Sequence, residues 1–351
     1  MPRFFRSTLT CTAVAVTAIA ASGFWAAPAF ADPGDPVISS GHLLANPNSD
    51  DGSSITGVTV TGDRTLRLQV FSAAMQKNVE VDVQRPADPS QPAPALYLLN
   101  GGGGGEDQLS WTQQTDALNF MADKQVNVIL PVGGRFSYYT DWRAPDPVLG
   151  VNEWKTFFTA ELPPLIDAGL GTTGANAIAG LSTSGTSVLQ LAIAKPGLFR
   201  SVAAYSGCAQ ISDPIGHAFV NLSVDVWGGG DTFNMYGPQS DPMWAANDPY
   251  LHADALRGTN LFVSSGTGVP GQYDFPGAPH SEGSMANQLI LGGGIEAAVN
   301  WCTHNLADRL QQLSIPATFD FQPTGTHSWG YWQDALRNSW PVLAAGLGVP
   351  A

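Results

Sequence analysis

The stretch Gly180-Leu181-Ser182-Thr183-Ser184-Gly185 limits the folds open to this chain more than any other. It joins an apolar run, Ala177-Ile178-Ala179, to Ser187-Val188-Leu189-Gln190-Leu191-Ala192-Ile193-Ala194, which reads as a helix. Strand, tight turn of small residues, then helix is the setting in which a serine is exposed on a strained turn, with neighbouring backbone N–H groups pointing into the same space. The pattern departs from G-x-S-x-G, because Ser184 holds the fifth place and glycine follows at 185. An ordinary strand–helix turn can be spelled the same way. Chemistry at Ser182 therefore requires partners elsewhere in the chain.

The rest of the sequence repeats the strand–helix theme. Ala95–Leu99 and Val126–Leu130 are continuous apolar runs, as in strands buried on both faces. Ser201–Tyr205, Asn260–Ser264 and Ala317–Phe321 are also strand-like, while Val58–Phe71 and Val79–Val83 alternate as half-buried strands do. Helices are expected over Thr115–Lys124, with Thr115 as N-cap, and over Phe157–Ala168, bent or restarted at Pro163-Pro164. A final helix is expected from Tyr331. Buried strands alternating with helices predict the α/β class, a mostly parallel central sheet with helices on both faces. Residues 206–258, with Trp227-Gly228-Gly229-Gly230-Asp231, read as a long, poorly regular excursion that either covers the site or serves as a structural crossover.

The first 31 residues are expected to be a secretory signal peptide. Arg3 and Arg6 precede an apolar run from Leu9 to Ala21, and Ala29-Phe30-Ala31 fits a cleavage site. Residues 32–351 then form one domain, secreted or held in the cell envelope, with no other stretch apolar enough to span a bilayer. Loss of the leader's two arginines moves the formal charge from 15 − 29 = −14 to 13 − 29 = −16. So acidic a chain argues against nucleic acid and anionic lipid surfaces as partners. Cys11 lies in the leader, and the remaining pair, Cys208 and Cys302, is predicted to form a disulfide. His304 follows Cys302 by two residues, but no second ligand pair has suitable spacing, so neither a metal nor a cofactor is expected.

A serine nucleophile needs a base, and the base needs an acid to orient it. Five histidines follow Ser182: His217, His252, His280, His304 and His327. His327 is the one just beyond the last strand-like run, where a hydrolase sheet places its base. The acid should precede that strand, and Asp274, Glu282, Glu296 and Asp308 are candidates. Asp274 stands in the loop nearest a strand end, whereas Glu296 opens an apparent helix; topology alone leaves these two open. The glycine run Asn100-Gly101-Gly102-Gly103-Gly104-Gly105 directly follows a buried strand, which is where backbone N–H groups can approach a developing oxyanion. The N–H of Thr183 would be the second donor. A phosphate cradle is excluded by the absence of G-K-[ST] and by the acidic Glu106-Asp107 that follows.

Several segments together resemble the secreted mycolyltransferases of the antigen 85 type. They are Tyr97-Leu98-Leu99-Asn100-Gly101, Pro131-Val132-Gly133-Gly134, Tyr139-Thr140-Asp141-Trp142, Glu161-Leu162-Pro163, Gly180-Leu181-Ser182, Tyr236-Gly237-Pro238, Ser240-Asp241-Pro242, Asn247-Asp248-Pro249 and Gly325-Thr326-His327-Ser328-Trp329 with Tyr331-Trp332. The resemblance implies an α/β-hydrolase fold and a triad of Ser182, Glu296 and His327, with oxyanion donors at Gly102 and Thr183. It implies transfer of a mycoloyl group from trehalose monomycolate, through an acyl-serine, to a sugar hydroxyl, so that trehalose mycolates and cell-wall glycans are the expected partners. It also places Asn100, Gly103 and Trp329 on the substrate side of the site. Mycobacterial members carry aspartate where Asn100 stands and arginine where Gly103 stands, so acceptor binding is expected to differ while the acyl chemistry is kept. Ser184, alanine in many relatives, is expected to matter little. A carboxylesterase of the same fold, or a non-catalytic envelope- or matrix-binding relative, is the alternative.

Overall fold

The computed structural model describes residues 49–278 and 284–351. The expected leader, His280 and Glu282 lie outside the described residues. Nine strands form one sheet: β1 (Ser54–Gly62), β2 (Thr65–Ser72), β3 (Lys77–Gln84), β4 (Ala95–Leu99), β5 (Asn127–Val132), β6 (Asn176–Leu181), β7 (Phe199–Tyr205), β8 (Asn260–Ser265) and β9 (Thr318–Phe321). Their order is β1-β2-β3-β5-β4-β6-β7-β8-β9. The pairs from β1 through β3 to β5 are antiparallel, and all pairs from β5 to β9 are parallel. This is the α/β-hydrolase architecture. The parallel strands β4 and β6 are buried along their whole length, which explains their unbroken apolar spelling. β2 instead alternates, with its apolar side inward.

Helices cover both faces. Ala95, Tyr97 and Leu99 face a core shared with α1 (Leu162–Leu170), α2 (Thr183–Ala194) and α3 (Gly293–Gln312). Leu96 and Leu98 face the other, built mainly from α4 (Trp329–Leu347) and residues 111–121. The chain leaves β4 for β5 on one side and then returns to β6 on the other, so the carboxyl ends of β4 and β6 flank a topological switch point. Crevices for ligands open at such points.

Two stretches differ from the sequence expectation. Thr115–Lys124 is not one helix: short helices at Trp111–Gln114 and Ala117–Met121 meet at Thr115, whose hydroxyl accepts from Ala117 N–H. Residues 206–258 are far more regular than expected. Helices at Pro214–Asn221, Thr232–Tyr236 and Pro242–Ala246 each start at an aspartate N-cap, Asp213, Asp231 and Asp241. Their apolar faces close a third small core with Tyr138, Trp142 and Trp244. Pro163-Pro164 does restart a helix: a π-helical turn over Phe157–Glu161 gives way to α1, whose first turn tolerates the missing N–H groups. A disulfide joins Cys208 to Cys302. Among the described residues no helix is long and apolar enough to cross a membrane.

Candidate active site

Ser182 follows β6 directly and has φ +57° and ψ −125°, a sparsely populated conformation that costs a non-glycine residue about 1–3 kcal/mol. Tertiary packing over-determines this turn. A Cβ at Gly185 would stand 2.7 Å from Tyr205 O and 3.0 Å from Gly207 Cα, so the start of α2 can approach the end of β7 only with glycine there. That contact explains why the motif's second glycine is found at 185. Ser184 takes a different part. Its Oγ accepts from Leu181 N–H and donates to Leu181 O, both at 2.9 Å, cross-bracing the turn from within. The expectation that Ser184 matters little overlooked this hydroxyl, whose pairing depends on a three-residue geometry that spacing alone does not reveal.

Ser182 Oγ lies 2.9 Å from His327 Nε2, and His327 Nδ1 lies 2.7 Å from Glu296 Oε2. His327 follows β9, and its backbone N–H donates to Gly292 O at 3.2 Å. Glu296 stands in the first turn of α3 and is almost fully buried. Its second oxygen, Oε1, accepts from Ser206 Oγ and from Gly266 N–H, both at 2.7 Å. Ser206 in turn accepts from Trp332 Nε1 at 3.0 Å. The Trp332 ring stands edge-on to the imidazole, with centroids 4.8 Å apart. Ser206, Gly266 and Trp332 were not singled out from sequence as site residues. Ser206 and Gly266 follow β7 and β8 at the carboxyl edge of the sheet, which was the available signal.

Asp274 does not meet the imidazole. Its carboxylate accepts from Gly271 N–H, Gln288 Nε2, Thr326 Oγ1 and Tyr331 OH. Burial alone would raise its pKa, but these four bonds prevail and hold the carboxyl below its ordinary value.

The glycine loop after β4 lies against the elbow. A Cβ on Gly101 would sit 2.8 Å from Leu181 Cδ1 and 3.5 Å from Ser182 Cβ, and one on Gly102 would sit 3.8 Å from Thr183 Cγ2. The carbonyls of Gly102 and Gly104 are held by Phe136 N–H and Gly133 N–H. The loop is thus fixed next to the turn that carries Ser182 and Thr183. Three other sequence candidates are not among the residues that line the cavity at Ser182. Asn100 is buried, accepts from Trp111 N–H at 3.1 Å and packs beneath Gly105, so it braces the loop instead of lining the space at Ser182. A side chain at Gly103 would overlap the Asp107 carboxylate, which fills that direction. Trp329 is buried edge-to-face between Trp111 and Trp332. The tryptophan that touches His327 is Trp332, one helical turn further along α4.

Ser182, Thr183 and His327 open onto a cavity of about 160 Å³. Its other walls are largely apolar, with Phe219, Trp227, Ile295 and Val299, and include Tyr138 and Cys208. Burial pushes the Tyr138 phenol up to about 12, so it stays a neutral hydrogen-bonding group against Ser223. The excursion 206–258 supplies Phe219, Ser223 and Trp227 to this wall. A serine paired to an imidazole, that imidazole to a buried carboxylate, and an apolar cavity beside them suit attack on the carbonyl of an ester with a greasy acyl group.

Comparison with known proteins agrees with this geometry. The family model described as putative esterase matches residues 72–342. The diacylglycerol acyltransferase/mycolyltransferase Ag85B of Mycobacterium intracellulare is 34% identical over 292 residues, covering 80% of this chain and 83% of that protein. Ag85A of Mycobacterium tuberculosis, of the same description, is 33% identical over 299 residues, covering 80% and 81%. Among solved structures, Mycobacterium tuberculosis MPT51 superposes with a TM-score of 0.67 at 25% identity, over 80% of this chain and 97% of that one. The fluorophosphonate-binding serine hydrolase FphF of Staphylococcus aureus shares the fold, with a TM-score of 0.60 at 18% identity over 80% and 98%.

Proposed function

The chain belongs to the esterase family and, within it, to the antigen 85-type mycolyltransferases, and from that membership we propose that it transfers a mycoloyl group from trehalose monomycolate to a sugar hydroxyl through an acyl-serine. The observation that carries this reading is the hydrogen-bonded chain from Ser182 to His327 to Glu296 at the mouth of the apolar cavity. His327 Nε2 takes the Ser182 proton as Oγ attacks the ester carbonyl. The N–H groups of Gly102 and Thr183 receive the oxyanion, and trehalose leaves with the proton that His327 returns. The acyl chain lies against Phe219, Trp227, Ile295 and Val299. An acceptor hydroxyl, from a second trehalose monomycolate or a cell-wall glycan, then gives its proton to His327 and attacks the acyl carbonyl, and the imidazolium returns that proton to Ser182 Oγ as the acyl–Oγ bond breaks. Glu296 keeps the imidazole in the tautomer this cycle needs, with Ser206 and Gly266 occupying its other oxygen. The leader, residues 1–31, directs the mature chain 32–351, a single domain, to the envelope where such glycans are found.

The test is incubation with purified trehalose monomycolate and separation of the lipid products by headgroup. Formation of a dimycoloyl product, lost in Ser182→Ala while the folded spectrum is kept, is expected. Free acid with no transesterified product, even in excess sugar, would make the protein a hydrolase instead. Retained transfer in Ser182→Ala would remove Ser182 from the mechanism.

A further inference from the structure

Asp274 is a buried carboxylate that the proposed reaction leaves idle, yet it is bonded on both flanks of the base. We propose that Asp274 is a positioning residue for His327, fixing the residue before it and the turn that holds its backbone with a single carboxylate; this rests on the reading of His327 as the general base. One flank is direct. Thr326, buried and adjacent to His327 in sequence, donates its hydroxyl to Asp274 Oδ1. The other flank runs through Gln288. Its Nε2 donates to Asp274 Oδ1 at 2.7 Å and to Tyr273 O at 3.0 Å. Gln288 opens the π-helical turn Gln288–Gly292, and the carbonyl at the end of that turn, Gly292 O, accepts the His327 N–H.

The loop carrying Asp274 is itself pinned to both catalytic elements. Gly268 N–H donates to Gly325 O at 2.8 Å, and Gly325 N–H donates to Val269 O at 2.7 Å. On its other side Gly268 presses on the start of α3, where a Cβ would overlap Gly293 O. The loop after β8 therefore touches the helix of Glu296 and the segment of His327 at once. Asp274 Oδ2, held by Gly271 N–H and Tyr331 OH, anchors the carboxylate in place. A carboxylate suits this position because it offers about four acceptor sites and no donor, and four donors converge on it. An asparagine there would turn a donor toward one of them.

The experiment compares the wild-type chain with Asp274→Asn, Thr326→Val and Thr326→Ser. The readouts are kcat and KM for acyl transfer, the thermal midpoint, and the proton resonance of His327 Nδ1–H. Asp274→Asn and Thr326→Val are expected to lower kcat by roughly ten- to hundredfold with KM kept, because small misplacement of a catalytic group costs that much. Both should shift or broaden the Nδ1–H resonance, and Thr326→Ser, which keeps the hydroxyl, should restore kcat and the resonance together. The proposal is overturned if Asp274→Asn leaves kcat and the resonance unchanged, or if Thr326→Ser fails as Thr326→Val does. The resonance is read whether or not the chain turns over substrate. An unreactive wild type would thus sink the proposed transfer while the resonance still decides the role of Asp274.

Discussion

Ser206 shows how much a single hydroxyl can hold. It stands between a donor, Trp332 Nε1, and an acceptor, Glu296 Oε1, in a buried position at the edge of the cavity. Replacing it with alanine leaves a buried carboxylate oxygen one bond short and an indole N–H with no acceptor, a loss of about 1–3 kcal/mol. Ser206→Ala should therefore lower both the thermal midpoint and kcat, with the rate falling by roughly tenfold or more and KM little changed. Steady-state kinetics and a melting curve on the same sample check this, and an unaltered kcat would show that Gly266 N–H alone suffices to hold Glu296. Ser182, His327 and the glycine loop could be picked out from sequence because each follows a strand and each belongs to a residue type with known chemistry. Ser206 also follows a strand, but a lone serine carries no such label. The choice between Asp274 and Glu296 depended on which carboxylate the packing of α3 turns toward the imidazole, and spacing along the chain does not contain that angle.

The same limit governs the helices. Trp329 and Trp332 lie three residues apart on α4, so both face the sheet, and only the point at which the helix starts decides which of them meets His327. The inner parallel strands were legible because burial on two faces writes an unbroken apolar run, and β2 and β3 by their alternation, whereas Val58–Phe71 holds parts of two strands, β1 and β2, joined at Asp63-Arg64. The short helices of residues 206–258 were hidden because each spans only five to eight residues, too few for a periodic pattern. The Cys208–Cys302 bond links this excursion to α3, one cysteine beside the cavity and the other on the helix of Glu296, across 94 residues of chain. A loop of that size is worth about 4.7 kcal/mol by chain-entropy arguments. Reduction, or the paired Cys208→Ala and Cys302→Ala substitutions, should lower the thermal midpoint by several degrees. Calorimetry with and without reductant checks this; an unmoved midpoint would mean that the third small core alone fastens the excursion.

For the molecule as a whole, stability against acid draws on carboxylates that hydrogen-bond donors hold in their charged form. Asp274 and Asp146 would each be raised by burial, but side-chain and backbone donors prevail and hold both below their ordinary value. A carboxyl held below its unfolded pKa adds stability that is complete above about pH 4 and is lost as pH falls through the lowered value. Asp167 and Glu153, raised chiefly by burial, act in the opposite sense. Unfolding midpoints followed from about pH 6 down to about pH 3 should therefore fall more steeply for the wild type than for Asp274→Asn. Parallel curves would show that Asp274 contributes nothing to acid stability.

The order of the chain adds one consequence. His327 lies 145 residues after Ser182, beyond the last strand, and Ser182 reaches its strained turn only when β7 and the glycine loop are packed beside it. On the ribosome the base is therefore the last reactive part to be made. Until β9 and the segment after it have emerged and docked, the serine has no proton acceptor. A nascent or unfolded chain therefore lacks the assembled serine–imidazole pair, which exists only once the segment after β9 has docked.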